Sequence, residues 1–290
     1  MSKIAILTDS SCDIPQEMAE KYGIDIMSFH ILLDDVDYVE RESCTNTEFY
    51  DKMRLAKGVP STAAITPIQF CEKYCQYVDE GYTDVIHVPI NKSGSSTYNN
   101  ALMAQGMLRE ERPEHHMKIH LLDPHTYSMV FGWYLCEMAR KLKNGAEISH
   151  VIQEFEKQMN CMEIILGPYS LKQMKKSGRI SAAAAVMGEL MGVRPIIALI
   201  DGKTKVESKV RGDDKVIPAM IDLCKKRTEG VEDFDYMIGH TSIPQAAELE
   251  KACRKAFGKA PLTTFNLGGV VSANTGPDTL ALVYVGKARD

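Results

Sequence analysis

Apolar positions along this chain follow two periods that alternate. Short runs rich in Ile, Leu and Val, at Lys3 to Thr8, Asp84 to Pro89 and Met117 to Asp123, end in polar turns and are predicted as strands. Ile24 to Leu33 reads as one further strand, with Asp34-Asp35 turning the chain into a hairpin partner. Between the strands lie helical stretches. Pro15 suits the first turn of one, and Thr45-Asn46-Thr47-Glu48 is a capping box that opens the next. Thr66-Pro67 starts a helix running to about Asp79, another begins near Tyr98, and a long one is predicted from about His125 to Leu142. Strands alternating with helices predict a parallel, helix-covered sheet.

The pattern breaks near Asn160. Ala146 to Met159 is amphipathic, Met162 to Leu166 starts a new strand, and Ser170 is placed to cap a short helix ending at Gly178. Pro195 to Ile200 and Thr204 to Lys209 flank Asp201-Gly202, a hairpin signal. Helices from about Asp214 and Pro244 then alternate with strands at Tyr236 to Gly239, Leu262 to Asn266 and Leu280 to Val285. The expectation is an α/β protein of two domains, residues 1–160 with a parallel sheet and residues 161–290 with a mixed one. A length of 290 residues agrees, at roughly 150 residues per domain.

Composition narrows the classes. Hydrophobic residues are 44% and charged residues 25%, a globular profile. With 34 basic and 39 acidic residues the net charge is −5, which disfavours a nucleic-acid surface or a polybasic membrane patch. Arg194 and Pro195 interrupt the best apolar stretch before it reaches the roughly 18 residues of a membrane span. Acidic residues follow too soon after the N-terminus for a signal peptide, so a cytoplasmic protein is expected. The eight cysteines form no C-x-x-C pair and read as reduced thiols. His116 and His120 fall at the edge of a predicted strand, not on one helix face, so no metal site is expected there.

Ligands of open parallel sheets bind beyond the carboxyl ends of the strands. Three hydroxyl-rich loops fall at such ends: Thr8 to Ser11, Pro60 to Thr66 and Ser93 to Thr97. No G-x-G-x-x-G follows the first strand, and neither a P-loop nor a G-x-S-x-G elbow is present. The stretch Ser181 to Met187, with four consecutive alanines, is predicted as a helix of so little side-chain volume that it either packs backbone to backbone or leaves a slot, and the 16 methionines, which suit a flexible apolar guest, favour the slot. A narrow apolar slot ending in neutral hydroxyl donors fits a long-chain acid, gaining roughly 0.8 kcal/mol per methylene buried before association costs. Ala183, Ala184 and Met187 are the expected lining.

Ordered signposts carry a family resemblance. They are Thr8-Asp9-Ser10-Ser11, Pro60-Ser61-Thr62, Ser95-Ser96-Thr97-Tyr98, Leu122-Asp123 with Ser128, and Lys175-Lys176-Ser177-Gly178-Arg179-Ile180-Ser181. Gly192-Val193-Arg194-Pro195-Ile196, Lys209-Val210-Arg211-Gly212 and Asn274-Thr275-Gly276-Pro277 follow. Nearly end to end, the chain resembles the DegV family of lipid-binding proteins, which includes the acyl-carrying subunit of bacterial fatty-acid kinase. The resemblance implies a fatty acid, roughly C14 to C18, buried between two domains, where each methylene adds to the gain. It implies that Thr62 and Ser95 hydrogen-bond the carboxylate, that this chain supplies no catalytic residue and no cofactor, and that a separate ATP-dependent kinase makes the acyl-phosphate. Ser96, Arg179 and Thr275 are further head-group candidates, and Arg211 is a candidate for docking that kinase.

The chain departs from the family pattern where a histidine of a His-Thr-Gly-Pro-Gly stretch helps hold the carboxylate. Here Asn274 can donate through its amide but cannot titrate near neutral pH. Asp278 replaces the last glycine and adds a negative charge expected near the head group. Arg179, just past a helix C-terminus, is equally suited to capping carbonyls there, and Asp9 and Asp123 read as loop anchors. Two rival readings remain: an enzyme on a small carboxylated or phosphorylated metabolite, using Asp9, Thr62, Ser95 and Asp278, and a carrier of a different lipid.

Overall fold

The computed structural model describes residues 3–178 and 192–289. Its first sheet has strand order β2-β1-β6-β7, all parallel, from β1 (Ile4–Asp9), β2 (Ile24–Met27), β6 (Asp84–Val88) and β7 (Lys118–Leu121). Period-two alternation gives this sheet two buried faces. Ile6, Ile86 and Val88 face α1 (Gln16–Tyr22) and α5 (Met129–Lys143), while Ala5, Leu7 and Val85 face α3 (Pro67–Asp79) and α4 (Thr97–Glu111).

Three predicted elements differ from the observed ones. Ile24 to Leu33 is not one strand, because β2 ends at Met27 and β3 (His30–Leu33) joins a separate antiparallel sheet, order β4-β3-β5. The chain turns there as the Phe29 amide donates to Ser10 Oγ at 3.0 Å. The Asp34-Asp35 hairpin into β4 (Val36–Val39) forms, both aspartates having positive φ. The long helix begins at Met129, not His125. Positive φ at His125 and Ser128 holds that segment as an irregular entry, in which Ser128 N donates to Ser11 O at 2.9 Å. Within the expected loop Pro60 to Thr66, Ser61–Ala63 instead forms β5, which pairs with β3 and sets Thr62 opposite Ile31.

The capping boxes at Thr45 and Thr66 both form, opening α2 (Asn46–Leu55) and α3. After α6 (Ile148–Met159), the second half builds one mixed sheet, order β10-β9-β8-β13-β11-β12. It comprises β8 (Met162–Pro168), the hairpin β9 (Val193–Ile200) and β10 (Lys203–Arg211), β11 (Tyr236–His240), β12 (Thr264–Asn266) and β13 (Thr279–Val285). The predicted cap at Ser170 is displaced: Leu171 occupies the N-cap of α7 (Lys172–Ser177), which closes on left-handed Gly178. Helices α8 (Val216–Arg227) and α9 (Gln245–Phe257) bury one face of this sheet through Ile165, Leu280, Leu282 and Tyr284. Its other face, with Ile164, Leu166, Leu199, Ala281 and Val283, shares a core with α5 and the first sheet. That seam holds α10 (Gly269–Thr275), which the sequence pattern did not predict. Two glycines and β-branched Val270 and Val271 hide its helical period. Among the described residues no helix is long and apolar enough to cross a membrane.

Candidate functional site

At the seam lies a cavity of about 210 Å³, far beyond the ~10–15 Å³ that one water needs. One wall is the inner face of the mixed sheet: Ile164 and Leu166 of β8, Leu199 of β9, Ala281 and Val283 of β13. These alternate positions follow directly from the strand period. Phe29, Tyr127, Val130, Phe265 and Val270 close the remaining apolar surface.

Polar lining residues come from both halves of the chain. β5 brings Thr62, the turn before α4 brings Ser95 and Ser96, and the end of α10 brings Asn274 and Thr275. Five of the sequence-predicted residues, from three distant segments, thus border one space. No Lys, Arg, His, Asp or Glu does so among the described residues. Ser95 Oγ lies 2.8 Å from Thr97 Oγ1 and accepts from Thr97 N at 3.2 Å, while Ser96 is exposed. These serines stand at the N-terminus of the 15-residue α4, the positive end of its dipole. Asn274 Nδ2 donates to Val270 O at 2.8 Å, so one amide hydrogen is committed to its own helix. The Thr275 hydroxyl is buried and has no partner among the described residues. An unsatisfied buried hydroxyl carries a desolvation cost that a ligand oxygen would remove.

Other predicted residues lie elsewhere. The Thr8 to Ser11 loop does not reach the cavity and is consumed by internal bonds. Thr8 Oγ1 donates to Val88 O at 2.7 Å, Ser10 Oγ donates to Glu40, and Ser11 Oγ donates to Asp9 Oδ1 at 2.5 Å. Asp9 also accepts from Ile90 N at 2.6 Å, anchoring the chain that leads to Ser95. Burial pushes the Asp9 carboxyl up to about 7, against the hydrogen bonds from Ser11 and Ile90. Asp123 accepts from His125 N at 3.0 Å, again as an anchor. Asp278 brings no charge to the cavity, because its Oδ1 accepts from Arg54 Nε at 3.1 Å. Asp9, Thr62, Ser95 and Asp278 therefore do not form one cluster: two border the cavity and two are held away from it. Arg211 is exposed at the end of β10. Arg179, Ala183, Ala184 and Met187 lie outside the described residues.

Sequence reasoning missed the inner face of the mixed sheet as cavity wall. Its signal was present in the alternation of Ile164 with Ile165 and of Ala281 with Leu282, but an apolar run buried on both faces conceals which side meets a space. It also missed Glu40, whose Oε1 accepts from Val270 N at 2.8 Å at the start of α10. Burial raises the Glu40 carboxyl above its ordinary value, and burial with the nearby Glu40 charge raises that of Asp13.

Fold and site define a two-domain α/β protein with a mostly apolar cavity at the seam of its sheets and hydroxyls along one wall. The chain belongs to the DegV family, described as a family of uncharacterised proteins, whose sequence pattern matches residues 3–287. A DegV domain-containing protein of Clostridium perfringens is 28% identical over 98% of this chain and 99% of its own. Among solved structures, a stearic-acid-binding protein from Eubacterium ventriosum superimposes with a TM-score of 0.89 at 23% identity, covering 99% of each chain. A fatty-acid-binding DegV protein from Thermus thermophilus gives 0.85 at 23% identity, over 98% of this chain and all of its own (100%).

Proposed function

We propose that this protein binds one long-chain fatty acid in the seam cavity and presents its carboxylate to a partner kinase. The observation that carries the reading is the buried Thr275 hydroxyl, without a partner among the described residues, which borders the same mostly apolar space as Thr62 and Ser95. Hydroxyl donors and the positive end of α4 stabilise an anion without burying a counter-charge. The acyl chain runs along Ile164, Leu166, Leu199 and Val283, which gain by leaving water. Relatives of the same fold whose bound molecule is a fatty acid support this assignment of cargo. Ser96, exposed next to the hydroxyls, marks where the head group comes within reach of a phosphoryl donor on a second protein. In this reading the fatty acid is substrate for the partner and cargo for this chain, which acts without a cofactor and in the cytoplasm.

Lipid extraction and native mass spectrometry of protein purified from bacteria test the assignment. The expected result is a long-chain acid close to one per chain. A polar metabolite, or an empty cavity that takes up no added palmitate, overturns it.

A further inference from the structure

Helix α10 ends in Asn274 and Thr275, yet nothing within its seven residues fixes where that end lies. Its start is tied to the first half twice: Glu40 accepts from Val270 N, and the Tyr50 hydroxyl donates to Leu267 O. Its far end is held by Thr279 Oγ1, which donates to Thr275 O at 2.9 Å, by Tyr169 N, which donates to Asp278 O at 2.8 Å, and, from the first half, by Arg54. Arg54 Nη2 donates to Pro277 O at 2.7 Å and Arg54 Nε to Asp278 Oδ1 at 3.1 Å, so the guanidinium grips the turn directly after Thr275. Arg54 Nη1 donates to Asp51 Oδ1 at 2.8 Å, which orients the fork from the same helix. Tyr50 and Arg54 stand four apart on α2 and so project from one face. One helix of the first half thereby holds both ends of a helix belonging to the second. The turn it grips is demanding, because Gly276 adopts φ +94 and a Cβ there would come within 3.2 Å of Gln173 Oε1.

We propose that Arg54 is a positioning residue for the ligand head group, acting through the Gly276–Asp278 turn to hold Thr275 and Asn274 at the cavity wall. The proposal rests on the fatty-acid reading and assigns Asp278 a role: its charge serves the guanidinium and not the ligand. Arg54 does not border the cavity, so its loss moves head-group donors while leaving the apolar wall in place. A shift of even half an ångström misaligns hydrogen bonds whose strength falls steeply with geometry.

The test compares palmitate with methyl palmitate, which keeps the acyl chain and lacks the anionic head group. Affinities come from displacement of a fluorescent fatty acid, with thermal melts to confirm folding. Arg54→Ala should weaken palmitate about tenfold, as expected for compromised hydrogen bonds to a charged group, and leave methyl palmitate within about twofold. Arg54→Lys, which retains one donor toward Pro277 O, should recover part of the loss; if Arg54→Ala does not fold, the Lys variant carries the test through the same selective loss. Equal weakening of both ligands, or no weakening of palmitate, overturns the positioning role while leaving the cargo assignment intact. A wild-type protein that binds neither ligand overturns the cargo assignment and the positioning role together.

Discussion

Glu40 and Val270 are 230 positions apart in sequence, yet Glu40 Oε1 accepts from Val270 N at 2.8 Å, so a buried carboxylate oxygen meets an amide in the first turn of α10. The same carboxylate accepts from Ser10 Oγ, so the end of β1, the segment after β4 and the head-group helix meet at one side chain. A glutamate at a helix start satisfies an orphan amide and complements the dipole. Glu40→Ala should lower the unfolding free energy by about 1–3 kcal/mol, because it strands the Val270 amide and the Ser10 hydroxyl. Glu40→Gln should lose less, since it keeps an acceptor for Val270. Urea denaturation of the two variants measures the difference, and equal losses would remove the acceptor role.

Thr275→Val should change stability and binding in opposite directions. The methyl replaces a buried hydroxyl that no described residue satisfies, so the unliganded protein should melt higher. Palmitate binding should weaken by about 1–3 kcal/mol if that hydroxyl is completed by the ligand. Melting with and without palmitate separates the two effects.

Thr62→Ala and Ser95→Ala should both weaken palmitate, by about 1–3 kcal/mol each. Only Ser95→Ala should also lower the melting temperature of the unliganded chain. Ser95 Oγ accepts from Thr97 N at the start of α4, whereas Thr62 has no such duty among the described residues. An unchanged affinity in both would place the head group elsewhere.

Two buried groups give stability opposite dependences on pH. Asp9 keeps its proton up to about 7 in the folded chain and releases it near 3.8 when unfolded, because burial disfavours its charge. The folded state binds more protons between those values, so the Asp9 contribution declines as pH rises through them. His87 behaves in reverse: burial lowers its value from 6.5 to about 3, so its contribution declines as pH falls through that window. The slope from either group is at most about 1.4 kcal/mol per pH unit. Asp9→Asn should therefore remove a falling contribution and gain on the wild type between pH 5 and pH 7. His87→Gln should show the opposite trend. Denaturant midpoints at several pH values report both, and parallel profiles for all three proteins would refute the assignment.

Gly202 seats the tip of the β9–β10 hairpin against the loop leading to Ser95. It has φ +69, Ser93 Oγ lies 3.4 Å from its carbonyl, and a Cβ would fall 2.0 Å from Asn91 Nδ2. Leu199, three positions earlier, borders the cavity, and Asp201 Oδ1 lies 2.9 Å from His125 Nδ1. Gly202→Ala should destabilise the fold by more than about 1 kcal/mol, since both the backbone angle and the space resist a side chain. It should also speed release of a bound fluorescent acid, measured by stopped flow. Unchanged release would mean that the hairpin tip does not close the cavity.

Local chemistry made much of this legible before any coordinates. Thr45 with Glu48 and Thr66 with Gln69 carry their helix starts in a few adjacent side chains, and both appear as capping boxes. Asp201-Gly202 needed only positive φ at two residues to define its hairpin. Ile24 to Leu33 was misleading because a mostly apolar run, interrupted only by Asp25, Ser28 and His30, does not show that its two halves join different sheets. Asp278 was misleading for a related reason: nearness to Asn274 in sequence indicated a shared site, while a guanidinium from α2 draws the carboxylate aside.

Taken alone, the amino-acid order determined the alternation of strands and helices and the two-domain α/β class. Those properties rest on periodicity, caps and turns, which act over a few residues. Tertiary structure alone decided which hydroxyls share one space, which are spent inside the fold, and how α10 is held at both ends. These outcomes depend on contacts such as Glu40 with Val270 and Arg54 with Pro277, between residues that local propensity cannot relate. They form only when the packing of two sheets brings distant segments within hydrogen-bond reach.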